Sequence, residues 1–144
     1  MNAIDTNILV YAVDSSEPNK SSIALGLLHR LATSLEPLIV PWQVAAEFLT
    51  CLRRWEDSKR ISRQDTQDYL EQFITPLPVV YPSVKSLPIA LELGDRYSLS
   101  HWDSMLLAAC IESGIGTLYS EDFTNGATYD SVTVLNPFNL PTQE

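Results

Sequence analysis

The chain has 144 residues, 45% of them hydrophobic and 19% charged, which fits one globular domain with its own core and excludes a disordered tract. No apolar run is long enough to cross a bilayer, and no basic stretch precedes an apolar one at the N-terminus, so neither a membrane span nor a secretory signal is expected. The formal net charge of −9 repels nucleic acid unless basic residues cluster or cations neutralise part of it.

In chain order, Ala3-Ile4 runs into Asp5, Thr6 and Asn7 and then into Ile8-Leu9. This reads as a short buried strand of a parallel sheet, with its polar residues arriving where the strand ends. Ligands of open α/β sheets bind at those carboxyl ends, so Asp5 is a candidate site residue. The alternative is that Asp5 or Asn7 caps the helix that follows. After a polar loop through Pro18, Ile23, Leu27, Leu28 and Leu31 recur at helical spacing over about residues 20–34. Leu38-Ile39-Val40 is a second buried strand, and Pro41 opens a helix from Trp42 to about Ser58. Glu47 stands among Val44, Ala45, Ala46, Phe48 and Leu49, where an ionised carboxylate needs water, a donor or a cation. Its helical face also holds Gln43 and Arg54, so an outward orientation stays open.

Arg53, Arg54, Lys59, Arg60 and Arg63 supply five of the nine basic residues, either as a grip on phosphates or as a solvated helix end. Ser62-x-x-Asp65 reads as a capping box for a helix to about Ile74, and Leu77–Tyr81 as a third strand, placed at an edge by Pro78. A helix is expected over Ser83–Tyr97. Ser100-His101-Trp102-Asp103 then opens another that is apolar nearly all round, hence central, and Gly114 and Gly116 end it. His101 reads as a first-turn residue facing solvent. Thr117–Tyr119 is the fourth strand, Thr124-Asn125-Gly126 a turn and Val132–Leu135 the last strand. Cys51 and Cys110 read as reduced core thiols of a cytosolic protein. Alternating strands and helices give an α/β fold with a mainly parallel sheet.

Asp5 and Asp122 each follow a predicted strand, and Glu47 lies in the second turn of a helix starting where the second strand ends. In a parallel sheet these share one edge. Spacing leaves Asp103 open, because two helices separate the third and fourth predicted strands. Asp103 also stands in Ser100-x-x-Asp103, a capping box that needs no metal. Converging carboxylates repel unless a cation sits between them, and oxygen-only ligands select Mg²⁺ or Mn²⁺. Such sites handle phosphate.

Asp5-Thr6-Asn7-Ile8-Leu9, Glu47 in an apolar helix, Trp102-Asp103 opening an Ala-rich helix, Ser120-Glu121-Asp122 and the closing Val134-Leu135-Asn136-Pro137-Phe138 resemble a PIN-domain ribonuclease. Within that family they resemble a VapC-type toxin of a prokaryotic toxin–antitoxin pair. The resemblance covers residues 1–138 and implies a single PIN-like domain, with 139–144 left as a loose tail. It implies a three-layer α/β/α fold with a five-stranded, mainly parallel sheet in the order 3-2-1-4-5, and it brings Asp103 to the shared edge. Asp5, Glu47, Asp103 and Asp122 match the family's acidic quartet. Asp5, Asp103 and Asp122 are then the ligands of Mg²⁺ or Mn²⁺, and Glu47 holds metal or orients the attacking water. Thr6 and Asn7 position these groups, and Ser120 stands where the family often has Thr. Glu121 is a further acid beside Asp122, of which Asp122 is favoured. The implied partners are an RNA substrate, an antitoxin protein and a second copy of the chain, with no membrane, in the cytoplasm.

Two other phosphate-handling readings fit less well. A haloacid-dehalogenase-like phosphatase needs a second Asp where Asn7 stands, and a response regulator needs a Lys after the fourth strand, whereas no Lys follows Lys85. A PIN-like module that only binds a partner would leave the acids dispensable.

Overall fold

The computed structural model describes residues 1–139. Strand β1 (Asn2–Ile4) is buried throughout, and helix α1 (Thr6–Ala12) follows with only Asp5 between them. Asp5 is extended, with φ −83° and ψ 166°, and its carboxylate accepts the Thr6 N–H as the N-cap of α1. Asp5 is thus both the end of the strand and the cap of α1, the cap being the role expected as the alternative to a site residue. Ile8, Leu9 and Ala12 turn the inner face of α1 into the core.

Helix α2 (Pro18–Ala32) begins on a proline, which lacks an N–H the first turn cannot use. Strand β2 (Leu38–Pro41) runs directly into helix α3 (Trp42–Asp57). Helix α4 (Arg63–Phe73) is opened by a complete capping box. The Ser62 hydroxyl accepts the Asp65 N–H at 3.0 Å, and Asp65 accepts the Ser62 N–H at 2.9 Å. Strand β3 is only Val79–Val80, shorter than the expected Leu77–Tyr81. Pro78 has no N–H for a ladder, although its carbonyl accepts the Val40 N–H at 2.9 Å. Helices α5 (Ser86–Tyr97) and α6 (His101–Glu112) precede strands β4 (Thr117–Tyr119), β5 (Thr128–Tyr129) and β6 (Val132–Leu135). A 3-10 turn, Pro137–Asn139, ends the described residues; the rest of the expected tail lies outside them.

The sheet has six strands in the order β3-β2-β1-β4-β6-β5, parallel except for the β5–β6 pair. This is the expected 3-2-1-4-5 order with one more strand at the edge. The additional strand is a two-residue return, pairing Thr128 with Thr133 and Tyr129 with Val132 around Asp130, which has φ 52°. By the right-handed rule for parallel crossovers, α1–α4, which pack on one another, share one face, and the reverse crossing to β4 sets the packed pair α5 and α6 on the other. The direction of winding reverses between β1 and β4, whose register aligns Ile4 with Tyr119. Both strands end there, and the crevice of such a fold opens at that point. Ile4, Leu27, Val40, Phe48, Leu52, Leu93, Leu107 and Leu118 are essentially inaccessible and fill the layers around the sheet. No helix among the described residues is long and apolar enough to cross a membrane.

Candidate active site

Asp5 leaves β1 only 5% exposed. One carboxylate oxygen accepts the Thr6 N–H at 2.7 Å, and the other accepts the Ser120 hydroxyl at 2.7 Å. Ser120 follows β4 directly, so this second bond spans the crevice where the winding reverses. Burial pushes the Asp5 carboxyl from 3.8 up to about 6, and the like charges of Asp122 and Glu47 push the same way, against those two hydrogen bonds.

Thr6 joins this strand end to α3. Its hydroxyl donates to Glu47 Oε2 at 2.7 Å. The other Glu47 oxygen accepts from the Gln43 amide at 3.0 Å, one turn earlier on the same helix. The same Gln43 nitrogen donates to the Trp102 carbonyl at 3.1 Å, tying α3 to the first turn of α6. Glu47 thus faces the crevice and is half-buried, as is Gln43, while Arg54 farther along the same helical face is exposed.

Asn7 organises the β4 side. Its side-chain NH₂ donates to Asp122 at 3.2 Å and to Ser120 Oγ at 3.5 Å, while its carbonyl oxygen accepts the Glu121 N–H at 3.3 Å. Burial raises the Asp122 carboxyl above its ordinary value, and the charges of Asp103, Glu121 and Glu47 add to the shift. The neighbouring acid behaves oppositely. Glu121 is held by Lys20 at 2.6 Å, and Lys20 also donates to the Tyr11 hydroxyl at 3.1 Å. Burial opposes ionisation of Glu121, but the Lys20 and Tyr11 bonds and the Lys20 charge outweigh it and hold its carboxyl below the usual range. Glu121 already has its counter-charge; Asp122 faces the other acids.

The first turn of α6 carries Asp103. The Ser100 hydroxyl accepts the Asp103 N–H at 3.3 Å, but no reciprocal bond from the Asp103 carboxylate closes the box that Ser62 and Asp65 complete. The capping expectation is therefore met by the backbone of Asp103 alone, and its carboxylate is one of the charges acting on Asp122.

Among the described residues no three carboxylate, imidazole or thiol groups surround one point as a metal set does. The chemistry of the donors nonetheless fits a hard divalent cation. Asp5, Glu47, Asp103 and Asp122 offer oxygen alone, and beyond the effect of burial the like charges of neighbouring acids add to the raised values of Asp5 and Asp122. Above Thr6, Asn7, Glu47 and Asp122 a cleft of about 520 Å³ opens to solvent, with Tyr11, Cys51 and Arg54 on its walls.

The basic cluster does not act as one patch. Arg60 pairs with the buried Asp14 and packs on the Trp55 ring at 4.0 Å, and Arg63 pairs with Glu56 at 2.7 Å. Arg54 lines the cleft, while Arg53 and Lys59 are exposed away from any ion pair among the described residues. Cys110 is a core thiol as expected, whereas Cys51 is half-buried on the cleft wall. His101 is exposed, its ring edge against Trp102 at 4.6 Å. Sequence reasoning missed Lys20, Tyr11 and the bridging role of Gln43. Only Gln43 left a signal, four residues before Glu47.

A model of the PIN domain matches residues 3–124, most of the chain, and the chain belongs to that family. Solved structures share the fold. A toxin–antitoxin complex from Klebsiella pneumoniae superposes with a TM-score of 0.67 at 14% identity, covering 97% of this chain and 100% of that one. VapC20 of Mycobacterium tuberculosis, described as a sarcin-ricin loop cleaving toxin, gives 0.62 at 18% identity over 85% of this chain and 90% of its own. VapBC2 from Rickettsia felis, bound to a DNA fragment from its promoter, gives 0.64 at 19% over 92% and 96%. No curated protein sequence matches the chain.

Proposed function

We propose that the chain is a metal-dependent endoribonuclease and the toxin of a toxin–antitoxin pair. One observation carries this reading: at the sheet's point of reversal the charges of Glu47 and Asp122 act on Asp5, and those of Glu47 and Asp103 act on Asp122. Membership of the PIN family and a fold shared with toxin structures support it.

Asp5, Asp103 and Asp122 would hold Mg²⁺ or Mn²⁺, with Glu47 beside them. When bound, such a cation polarises a phosphoryl oxygen and lowers the pKa of an attacking water. The chain's own groups do the rest. Thr6 fixes one Glu47 oxygen and Gln43 the other, so the carboxylate is oriented to receive a proton from water or to align it. Asn7 and Ser120 keep Asp5 and Asp122 in register across the two strands. Lys20 keeps Glu121 away from the cation. Arg54, on the cleft wall, meets the phosphate backbone. The setting is the cytoplasm, with an antitoxin protein and a second copy of the chain as partners.

The separation of the acids favours one other reading, a PIN module that only binds a partner. Expression in a bacterial host separates the two. A ribonuclease toxin arrests growth and leaves new RNA ends, and Asp5→Asn abolishes both; arrest by Asp5→Asn as strong as by the wild type would mean partner binding alone.

A further inference from the structure

Beside the acidic crevice lies a second cleft of about 460 Å³, within the range of ligand sites, whose aromatic walls the mechanism above does not use. Trp42, Pro82, Trp102 and Met105 line it together with Gln43 and Glu47. Trp42 is 49% exposed, Trp102 62% and Tyr81 69%. The Trp42 and Tyr81 rings lie 5.2 Å apart at 34°. A contiguous exposed patch of this kind marks a contact surface, and aromatic rings dominate such surfaces.

Its occupant follows from where it sits. Trp102 is joined to the site by two hydrogen bonds through one nitrogen, Gln43 Nε2 to Glu47 and Gln43 Nε2 to the Trp102 carbonyl. Glu47 and Thr50 line both clefts. A strand whose phosphodiester lies over the acids therefore carries its neighbouring nucleotide onto these rings. Both Gln43 partners are acceptors, so its NH₂ faces them and Oε1 is left to accept an N–H from a base edge. No Lys or Arg lines this cleft, and the whole chain carries −9. Phosphates gain nothing here; uncharged base faces do, since every base has a π-face to stack.

We propose that Trp42, Tyr81 and Trp102 form a base-stacking subsite that seats the nucleobase next to the scissile phosphodiester of a single-stranded RNA. The proposal rests on the ribonuclease reading. It concerns how the strand is held, not how the bond is cut.

The test uses the full chain, labelled single-stranded oligoribonucleotides, and an abasic strand of equal length. Fluorescence anisotropy in chelator gives binding, and initial rates with Mg²⁺ give kcat and KM. Trp102→Ala should weaken binding of the base-bearing strand roughly 5- to 150-fold, the range of base–aromatic stacking, and Trp42→Ala should act likewise. Trp102→Phe should restore affinity to within about 3-fold, because it keeps a π-face. The abasic strand should bind wild type and variants alike, and the loss should fall on KM with kcat nearly unchanged. Wild-type cleavage with KM indifferent to both tryptophans overturns the subsite and leaves the nuclease intact. A wild type that neither binds nor cuts RNA overturns both. Trp102→Ala that turns a dimer into a monomer in sedimentation, with RNA affinity unchanged, assigns this face to a second copy and also overturns the subsite.

Discussion

Replacing Asp5 by Asn should make the metal-free protein more stable at neutral pH but not in acid. The folded carboxyl titrates at about 6 against an ordinary 3.8, chiefly because burial disfavours its charge. That displacement corresponds to about 3 kcal/mol. Its sign follows from linkage: the folded state binds this proton more tightly than the unfolded chain does. Asp5 therefore costs nothing below about pH 4, destabilises progressively as pH rises towards 6, and reaches its full effect above that. An amide at this position still accepts the Thr6 N–H. It would, however, turn a donor towards Ser120, whose oxygen already accepts the Asp122 N–H at 3.1 Å. The Ser120 hydroxyl hydrogen then loses its acceptor, a loss of about 1 kcal/mol. The net gain at pH 7 is about 2 kcal/mol, or roughly 4–8 °C in melting temperature for a chain of this size.

The assay is thermal unfolding of wild type and Asp5→Asn in chelator, at pH 4 and pH 7. The difference between the two proteins isolates Asp5. Asp14, Glu56, Glu112 and Glu121, all held below their ordinary values, shift both curves alike. A variant that melts at or below the wild type at pH 7, with the same difference at pH 4, would refute the buried-charge reasoning.

Asp122→Asn should weaken Mg²⁺ binding by roughly ten-fold or more in titration calorimetry, at about 1.4 kcal/mol per decade. Glu121→Gln should change it by less than about two-fold, because Lys20 already neutralises Glu121; equal losses would merge the two acids into one role. Arg54→Glu should lower RNA affinity and reduce the slope of log affinity against log salt by about 0.7, the share of one phosphate that Arg54 no longer neutralises. Arg63→Glu, whose wild-type side chain is tied to Glu56, should leave that slope unchanged. Phe48→Ala, which empties a fully buried position beside Glu47, should reduce unfolding stability by about 3–5 kcal/mol in urea titration. A loss under about 1 kcal/mol would mean that α3 is not anchored there.

Where the sequence was legible, a strong local pattern met no competing tertiary demand. Leu38–Val40 is apolar on both faces and ends at a proline that opens α3; α6 is apolar nearly all round and packs against both α5 and the sheet. Strand β5 left no such trace. It is two residues long, Thr128 is exposed, and only the hairpin partner Val132–Thr133 makes it a strand. The two Ser-x-x-Asp motifs look alike in sequence, yet Asp65 closes its box and Asp103 does not. The Asp103 carboxylate instead acts on Asp122, which stands nineteen residues further along the chain and so leaves no local signal. The α3 face was half read: Gln43, Glu47, Cys51 and Arg54 recur at helical spacing, but whether that stripe met solvent or a cleft depended on α1 and β4. Lys20 gave no signal, since its partner Glu121 stands a hundred and one residues away.

Incubation of purified, partner-free protein with total RNA tests the ribonuclease site most directly, comparing wild type and Glu47→Gln, each with Mg²⁺ and with chelator. Discrete new RNA ends should form only with the wild type and Mg²⁺, while the folded variant should produce none. The same ends from Glu47→Gln, or from the wild type in chelator, would contradict a metal-dependent site built on these acids.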